Sequence, residues 1–510
     1  MSERERWGTR IGLILAASGN AVGLGNFLRF PVQAAKHDGG AFMIPYFLSF
    51  LLLGVPLMWV EWAIGRYGGI RGHGTSPGTF QLLWKSRSAK YLGIIGVVCP
   101  LVIIVYYSYI TSWTVGYAVF SLFNHLPKVD SIGTLEETLR PFSHFLQKYT
   151  GTGDFFLTPS VYAYGIYVFT LFLSMLILAR GIAGGIELLA KIAMPLLFLF
   201  AIFLVIRVLT LGSPVHPDCN PLKGLAFIWE PKFSKLFDLN IWLAAAGQMF
   251  FTLSLGMGAL LTYASYLQER DDIVLSGLTT ATTNEFAEIV LGSSIAIPTA
   301  VVFFGVANTG TIAREGAYHL GFVSMPAVFS FIPMGTLFGF LWFMLLFFAG
   351  ITSIVALTQP AIAFLEEEFC LGKKKAVCYV GSFLFISGHI PIFMKGTLDE
   401  LDFWAGTFFI TFFAASEIIL FFWIFGSNKA WEEMHRGAEF PIPGIFFFLC
   451  RYVTPAILII IFIGWMIQYG WQEILETSSQ KWIARIYLLV TFIIAGFLIH
   501  RAWKKRDWRL

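Results

Sequence analysis

The chain has 510 residues, of which 57% are hydrophobic and 13% are charged, and its mean hydropathy is +0.72. A typical soluble protein carries about 25% charged residues, so this chain lacks the polar cover that a series of soluble domains needs. The net charge of +4 is too balanced to indicate a nucleic-acid partner. The five cysteines are scattered without CxxC or Cys/His spacing, which argues against a disulfide framework and a zinc site. The composition predicts an integral membrane protein.

The apolar segments predict twelve membrane spans. A helical span needs about 20 apolar residues, and windows of that size begin near residues 11, 40, 90, 161, 186, 240, 273, 335, 374, 400, 445 and 483. The runs are continuous rather than alternating, which favours helices over the strands of a barrel. We therefore expect an all-α integral membrane protein with 12 transmembrane helices.

Positive charges predict the orientation, because Lys and Arg accumulate in short cytoplasmic loops. With twelve spans, four clusters fall on one side, and both termini are then expected in the cytoplasm. The clusters comprise Arg4, Arg6 and Arg10; Arg66, Arg71, Lys85, Arg87 and Lys90; Lys373, Lys374 and Lys375; and Arg501, Lys504, Lys505, Arg506 and Arg509. The loop between spans 5 and 6 runs against this trend, since it is expected outside and carries Lys223, Lys232 and Lys235.

Two of the predicted spans contain segments that disfavour a continuous helix. Residues 18–26 in span 1 and residues 252–258 in span 6 are rich in Gly, which costs a helix up to about 1 kcal/mol per residue relative to Ala. Gly19 and Gly23 form a GxxxG pair that close helix packing would also explain. Packing, however, does not require Asn20 or Asn26. In addition, spans 1 and 6 are each the first span of a group of five, spans 1–5 and spans 6–10. Interrupted helices at matching positions are expected in an inverted-repeat transporter.

The interruptions suggest the chemistry of a central site. Unwound backbone is tolerated inside a membrane only where it lines a cavity or is buried in protein. Helix ends at such a break present amides to a carboxylate and carbonyls to an ammonium group, and free carbonyls beside Asn, Ser and Thr suit a monovalent cation. Charged residues in or next to the spans, Arg29, Asp402, Glu61 and Glu288, also point to a pathway. For Glu61 we favour a cap on loose backbone over a proton site, whereas the role of Glu288 is left open.

Several long motifs carry a family resemblance. They read WGTRIGLILAASGNAVGLGNFLRFPVQAAKHDGGAFMIPY, FFTLSLGMGALLTYASY, LSGLTTATTNEFAE, FFAGITSIVALTQP and LDFWAGT. Together they resemble the neurotransmitter:sodium symporter family over essentially the whole chain. The resemblance implies the LeuT fold, with a 5+5 inverted repeat and unwound helices 1 and 6. It also implies a carrier rather than an enzyme, with two Na⁺ ions as co-transported ligands and no resident cofactor.

The resemblance implies a division of the chain as well. Residues 1–10 would be a cytoplasmic segment, 11–213 the first repeat and 214–239 an extracellular loop. Residues 240–426 would form the second repeat, and 427–510 would hold spans 11 and 12 with the cytoplasmic C-terminus. A homodimer through spans 11 and 12 is one option. Loop 124–160 lacks Cys and an Asn-x-Ser/Thr signal, unlike that of typical animal relatives, so we expect a prokaryotic inner membrane.

Carried over by motif, the resemblance implies one amino-acid site and two sodium sites. For the substrate carboxylate it implies the amides of Leu24 and Gly25, the hydroxyl of Tyr107, and a sodium ion. For the ammonium group it implies the carbonyls of Ala21, Phe251 and Thr252 and the hydroxyl of Ser254. The implied side-chain pocket is Val22, Ile103, Tyr107, Phe251, Met257, Ser353 and Leu357. The implied first sodium site is Ala21, Asn26, Thr252, Asn284 and the substrate, and the second is Gly19, Val22, Ala349, Thr352 and Ser353.

The same resemblance implies two gates. Arg29 and Asp402 would form the extracellular pair, and Arg4 and Glu367 the intracellular pair, with Tyr266 near it. The family usually has Asp where Glu367 stands. The alternative for each pair is an ordinary exposed ion pair, worth about 0–1 kcal/mol.

One buried carboxylate bears on the need for chloride. The resemblance places Glu288 beside Tyr46, Gln248, Thr252 and Asn284. In chloride-dependent relatives this position resembles a binding site for an anion. A fixed carboxylate supplies the negative charge itself, so chloride-independent transport is expected.

The expected function is sodium-coupled uptake, by alternating access, of a small or medium hydrophobic neutral amino acid resembling leucine, alanine or methionine. Carriers of monoamines in this family typically have Asp where Gly23 stands, which argues for an intact α-amino acid. The alternatives are a LeuT-fold carrier of another solute, such as an aromatic amino acid or an osmolyte, a membrane-embedded enzyme, and a channel. No HExxH or paired-acid helix motif supports an enzyme, and no filter-like repeat supports a channel.

Overall fold

The computed structural model describes residues 5–129 and 133–505, which are mostly helical. The helices in chain order are α1 (Arg10–Ala21), α2 (Gly25–Lys36), α3 (Gly40–Ile70), α4 (Ser76–Leu83), α5 (Ala89–Leu122), α6 (Leu135–Thr150), α7 (Val161–Ala179), α8 (Ile182–Leu209), α9 (Pro221–Trp229), α10 (Leu239–Thr252), α11 (Ala259–Ala264), α12 (Ile273–Arg314), α13 (Ala317–Phe331), α14 (Gly335–Phe369), α15 (Lys373–Phe393), α16 (Thr397–Ile424), α17 (Ser427–His435), α18 (Ile445–Gln468) and α19 (Ser479–Lys505). The all-α prediction is confirmed for these residues.

Ten of these helices in the described part of the chain are long and apolar enough to cross a membrane. They are α3, α5, α7, α8, α12, α14, α15, α16, α18 and α19. An eleventh span results if α1 and α2, which meet at a bend of 46°, are counted together. The sixth predicted span corresponds to α10 and α11, which are 14 and 6 residues long, so neither reaches span length alone. Helices α3, α7, α12, α14 and α18 begin at the residues predicted from the apolar windows.

Both predicted interruptions are present. Helix α1 ends at Ala21, and Val22 has ψ 81°, outside the helical range. Between α10 and α11 the backbone takes positive φ at Ser254 (52°), Gly256 (70°) and Gly258 (70°). A Cβ on Gly256 would lie 2.2 Å from the carbonyl oxygen of Ile410, so only Gly fits against the neighbouring backbone there. The Gly-rich sequence therefore enforces the break rather than merely weakening the helix.

Helix α5 occupies the centre of the bundle. Within its apolar window 94% of the residues are buried, against 22% for α18 and for α19, which therefore lie at the periphery. Helix α5 packs along α14, and α14 in turn contacts α1 and α11. The two interruptions thus lie against α14, which packs along the most buried helix of the bundle.

The start of the chain is fastened to α8 through Glu187. This buried carboxylate accepts hydrogen bonds of 2.7 Å from the amide of Gly8 and from the hydroxyl of Thr9. It also forms an ion pair of 2.7 Å with Lys191 one turn along the same helix. Nearby, the indole of Trp7 donates to the carbonyl of Tyr263, at the end of α11 (3.1 Å). The segment before α1 is therefore held against both α8 and α11.

Candidate functional site

A small cavity of about 20 Å³ lies where the two interruptions meet. Its walls come from the break between α1 and α2, from α5, from the break between α10 and α11, and from α14. They comprise Asn20, Ala21, Gly23, Gly25, Asn26, Ile103, Tyr107, Phe251, Ser254, Met257, Ser353 and Leu357. Most of the predicted substrate-contacting residues are therefore brought together. Of the others, Leu24 reaches Tyr107 through its amide, and Val22 and Thr252 are buried at the ends of α1 and α10.

Hydrogen bonds join the two interruptions. The hydroxyl of Ser254 donates to the carbonyl of Asn20 over 3.0 Å, and the hydroxyl of Ser353 reaches the same oxygen over 3.3 Å. The amide of Leu24 donates a hydrogen bond of 3.0 Å to the hydroxyl of Tyr107. Amide and hydroxyl donors and backbone carbonyls thus lie together where the two interruptions meet. This polarity matches a zwitterionic guest.

Neutral oxygen atoms cluster beside the cavity around Asn284. One terminal atom of its amide lies 3.1 Å from the carbonyl oxygen of Ala21 and 3.2 Å from that of Thr252. As a nitrogen, this atom donates to both carbonyls. If it is the oxygen, it accepts a hydrogen bond of 2.8 Å from the amide of Asn26. Together with the carbonyl oxygens of Ala21 and Thr252 it then forms a group of three oxygens that a cation would stabilise. The two assignments differ only in an amide rotation, which is inferred from the hydrogen-bond network.

The residues of the predicted second sodium site also lie against one another. A Cβ on Gly19 would come within 3.2 Å of the side chain of Thr352, so α1 and α14 are in close contact there. The hydroxyls of Thr352 and Ser353 each lie 3.1 Å from the carbonyl oxygen of Ala349. Within the described ranges no group of three or more His, Cys, Asp or Glu side chains could hold a metal ion. Any cation at these positions would be held by neutral dipoles.

Glu288 is completely buried next to this oxygen cluster. Its carboxylate accepts hydrogen bonds of 2.5 Å from the hydroxyls of Tyr46 and Thr252 and from the amide of Gln248. Thr252 connects the carboxylate to the cluster, because its hydroxyl also lies 2.9 Å from the amide of Asn284. A buried carboxyl group is therefore placed one residue away from the candidate cation position.

The predicted outer pair is engaged with other residues. The guanidinium of Arg29 lies over the ring of Phe251, 4.3 Å from its centroid. Asp402 accepts a hydrogen bond of 2.6 Å from the hydroxyl of Tyr106. Among the ion pairs formed within 4 Å by described residues, none joins Arg29 to Asp402. The gate assignment of both residues stays a prediction.

On the opposite side of the cavity, the carboxylate of Glu367 accepts from the amide of Gly74 over 2.7 Å. The hydroxyl of Tyr266 accepts from the amide of Gln359 over 2.7 Å. Arg4, the predicted partner of Glu367, lies outside the described residues.

Three residues of this region were absent from the predicted site. Asn20 lines the cavity, and both polar atoms of its buried side chain lack a hydrogen-bond partner among the described residues. Tyr106 holds Asp402, as described above.

The third residue, Glu417, is buried beside Glu61, whose carboxylate accepts a hydrogen bond of 2.6 Å from the amide of Gly256. Glu61 thus caps the interruption before α11, as expected. Glu417 carries the same signal, a carboxylate inside an apolar span, and could have been found by it.

Known proteins resemble the chain over most of its length. The family model of the sodium:neurotransmitter symporter family matches residues 4–139 and 162–503. An uncharacterized sodium-dependent transporter of Methanocaldococcus jannaschii is 33% identical over 465 residues, covering 89% of each chain. The sodium-dependent nutrient amino acid transporter 1 of Drosophila pseudoobscura pseudoobscura is 26% identical over 516 residues, covering 91% of this chain and 75% of that protein.

The crystal structure of MhsT in complex with L-phenylalanine has a similar fold. It matches with a TM-score of 0.76 and 27% sequence identity, covering 90% of this chain and 99% of the other. The apolar helices, the joined interruptions and these matches agree with one another, and they identify a sodium-dependent membrane transporter rather than an enzyme. The chain belongs to the sodium:neurotransmitter symporter family.

Proposed function

We propose that this symporter couples Na⁺ entry to the uptake of a small or medium hydrophobic neutral amino acid, resembling leucine, alanine or methionine, by alternating access. The observation that carries the proposal is the meeting of the two interruptions at one cavity. There the amide of Leu24 and the hydroxyl of Tyr107 lie close to the carbonyl of Asn20 and the hydroxyls of Ser254 and Ser353. Donors suit a carboxylate and acceptors suit an ammonium group.

The side-chain part of the pocket supports an aliphatic guest. Ile103, Met257 and Leu357 line it with hydrocarbon and one flexible thioether. The walls enclose about 20 Å³, which is roughly the room that one water molecule needs. A bound amino acid therefore requires Met257 and the ring of Phe251 to move, and a smaller side chain requires less movement.

Gly23 supports a substrate that brings its own carboxylate. A Cβ at this position would lie 3.0 Å from both the Ser353 and Tyr107 hydroxyl oxygens, so there is little room for an acidic side chain.

Two Na⁺ ions are proposed as the coupled cations. The first would bind Ala21, Asn26, Thr252 and Asn284 together with the substrate carboxylate, and the second would bind Gly19, Val22, Ala349, Thr352 and Ser353. A sodium ion that touches the carboxylate raises the affinity for the substrate, and by linkage the substrate raises the affinity for sodium equally. Such coupling is typically about 1–3 kcal/mol. Transport would be independent of chloride, because Glu288 already supplies a buried negative charge next to Thr252.

The topology is proposed to be that of the LeuT fold, with twelve spans in a 5+5 inverted repeat. Helices α10 and α11 together would form the sixth span. Both termini would lie in the cytoplasm of a prokaryotic cell, with the inner membrane as the location. Arg29 and Asp402 would close the outer side, while Arg4, Glu367 and Tyr266 would close the inner side. The lipid bilayer and the amino acid are the proposed partners, and a homodimer through α18 and α19 remains an option.

Uptake into proteoliposomes tests the coupling. Radiolabelled leucine or alanine should accumulate with sodium outside and should not accumulate with potassium or choline. Asn26→Ala and Thr352→Ala should each lose sodium-driven uptake, since each removes an oxygen proposed for one sodium site. Asn308→Ala and Thr411→Ala are matched controls, because each removes a side chain that bonds only within its own helix. Equal accumulation in sodium and choline would contradict the proposal.

An aromatic amino acid is the second candidate, because the similar structure of MhsT holds L-phenylalanine. Competition of bound radiolabelled leucine by a panel of amino acids distinguishes the two. Displacement by alanine, leucine and methionine supports the aliphatic substrate, and displacement by phenylalanine and tryptophan at much lower concentrations supports the aromatic one. Displacement only by monoamines would contradict both.

A further inference from the structure

A second cavity of about 400 Å³, which shares no lining residue with the central cavity, lies between α5, α14, α15 and α19. Its walls are almost entirely hydrocarbon and include Val97, Leu101, Phe364, Phe383, Ile494 and Leu498. Its size falls within the range of about 300–1,000 Å³ that is usual for ligand sites. We call this cavity the α5–α19 groove. A purely apolar groove between membrane helices fits a hydrocarbon chain.

Three basic residues from three helices stand at one end of the α5–α19 groove. Lys90 lies one turn before the groove residue Ile94 on α5, and Lys375 lies one turn before the groove residue Tyr379 on α15. Arg501 follows the groove residue Leu498 by three positions on α19. Residues three or four apart share a helix face. The helix ends that carry these cations are therefore arranged around the same opening.

Direct contacts hold α5 and α19 together at that opening. The ammonium of Lys90 lies 5.1 Å from the ring centroid of Tyr91 and 5.4 Å from that of Trp503. The hydroxyl of Tyr91 and Nδ1 of His500 are 3.1 Å apart. Lys90 is almost completely buried, whereas Lys375 and Arg501 are exposed. Lys90 is thus held against two aromatic rings, while Lys375 and Arg501 are accessible.

The three cations lack ion-pair partners within the described part of the chain. Among the described residues, Lys90, Lys375 and Arg501 form no ion pair with a carboxylate within 4 Å. The nearby Lys373, by contrast, pairs with Glu5. At the same end of α14, Glu367 contacts the amide of Gly74 and Glu368 contacts His73. Lys90, Lys375 and Arg501 therefore contribute three positive charges at the opening that no carboxylate of a described residue pairs with directly.

We propose that the α5–α19 groove binds an anionic phospholipid, with an acyl chain along the groove and the phosphate among Lys90, Lys375 and Arg501. A basic pocket between membrane helices is a recognised site for anionic lipid head groups. The hydrocarbon walls exclude a free phosphate ion as the sole occupant, and the cations favour an anionic over a zwitterionic head group. This inference is independent of which solute the protein transports.

Native mass spectrometry and thermal unfolding of the full-length, delipidated protein test the inference. Phosphatidylglycerol should be retained and should raise the melting temperature more than phosphatidylcholine with the same acyl chains. Each cation near an anionic lipid is expected to contribute roughly fivefold in affinity. Lys375→Gln/Arg501→Gln should therefore lose most of the preference for phosphatidylglycerol. Ala495→Trp should reduce retention of both lipids, because Ala495 lines the groove.

Matched variants separate a specific site from general charge. Lys429→Gln/Arg451→Gln removes two positive charges from residues that face the rings of Phe425 and Tyr452, away from the groove. This control should retain phosphatidylglycerol as the wild type does. Equal retention of the two lipids by the wild type, or unchanged preference in Lys375→Gln/Arg501→Gln, would overturn the proposal. So would an equal rise in melting temperature with glycerol phosphate, which has no acyl chain.

Discussion

The hydroxyl of Ser254 donates a hydrogen bond to the carbonyl of Asn20 over 3.0 Å, and this contact links the two interrupted segments across 234 positions of the chain. Ser254 itself has a positive φ of 52°, so its backbone is held in a conformation that few residues adopt. The contact therefore orients the carbonyl end of α1 with respect to the segment between α10 and α11, which is the relationship on which the proposed site depends.

Ser254→Ala should weaken amino-acid binding about fivefold, since a typical net hydrogen bond contributes about 1 kcal/mol. Equilibrium binding of a radiolabelled amino acid in saturating sodium measures the effect. Ser416→Ala is the control, because this hydroxyl bonds only to the carbonyl of Phe412 in its own helix. Unchanged binding by Ser254→Ala would show that the contact between the interruptions does not support the site.

Gly23→Ala should reduce binding of the amino acid by at least about tenfold while the protein still folds. The added methyl group would lie 3.0 Å from the hydroxyl oxygens of Ser353 and Tyr107, where a substrate carboxylate is proposed to approach. Gly165→Ala serves as the control, since a Cβ there meets no atom within 4 Å. The measurements are ligand affinity and melting temperature. If Gly23→Ala binds normally, the proposed carboxylate position is wrong.

Glu288→Ser should make uptake depend on chloride. The substitution removes the fixed charge but leaves the donors Tyr46, Gln248 and Thr252, which can then bind an anion. Uptake is compared in chloride and gluconate at constant sodium. Glu288→Gln fills the same space without charge, so it should transport slowly in both media. Identical rates of Glu288→Ser in the two salts would contradict the charge argument.

Arg29→Lys should speed the release of bound amino acid. The guanidinium lies 4.3 Å from the ring centroid of Phe251, which lines the cavity, and such a stack is worth about 0.5–1 kcal/mol or more. A several-fold faster dissociation of radiolabelled substrate is expected. Arg451→Lys disrupts a comparable stack on Tyr452 away from the cavity and should leave dissociation unchanged. If both variants release substrate at the wild-type rate, the stack of Arg29 on Phe251 does not control release.

The helix positions and both interruptions could be predicted from the sequence, because each depends on strong local physics. Long apolar runs must become helices in lipid, where backbone groups find no water. Positive φ at Gly256 and Gly258 matches glycine's lack of a Cβ, and the Asn residues beside the first break exceed what packing requires. The position of Glu61 against the amide of Gly256 follows from the same reasoning.

Side-chain partners were harder to predict than backbone positions. The stacking of Arg29 on Phe251 and the bond from Tyr106 to Asp402 depend on rotamers that tertiary packing selects. Helix α12 also breaks at Gly305, where φ is 79°, although a single Gly in a helical pattern is usually tolerated. Asn20 was identified as unusual in the sequence, but its place on the cavity wall required the arrangement of four separate helices.

Glu187 lies outside the cavity, but the three groups that donate hydrogen bonds to it connect this residue to the affinity for the amino acid. Gly8, Thr9 and Lys191 are bonded to this carboxylate in the described conformation. Conformers in which the start of the chain swings away from α8 lose the first two bonds, so they are depopulated relative to this one. Apparent affinity scales with the fraction of molecules that can bind. Evolution could thus tune uptake through this distant carboxylate without altering any atom that meets the amino acid.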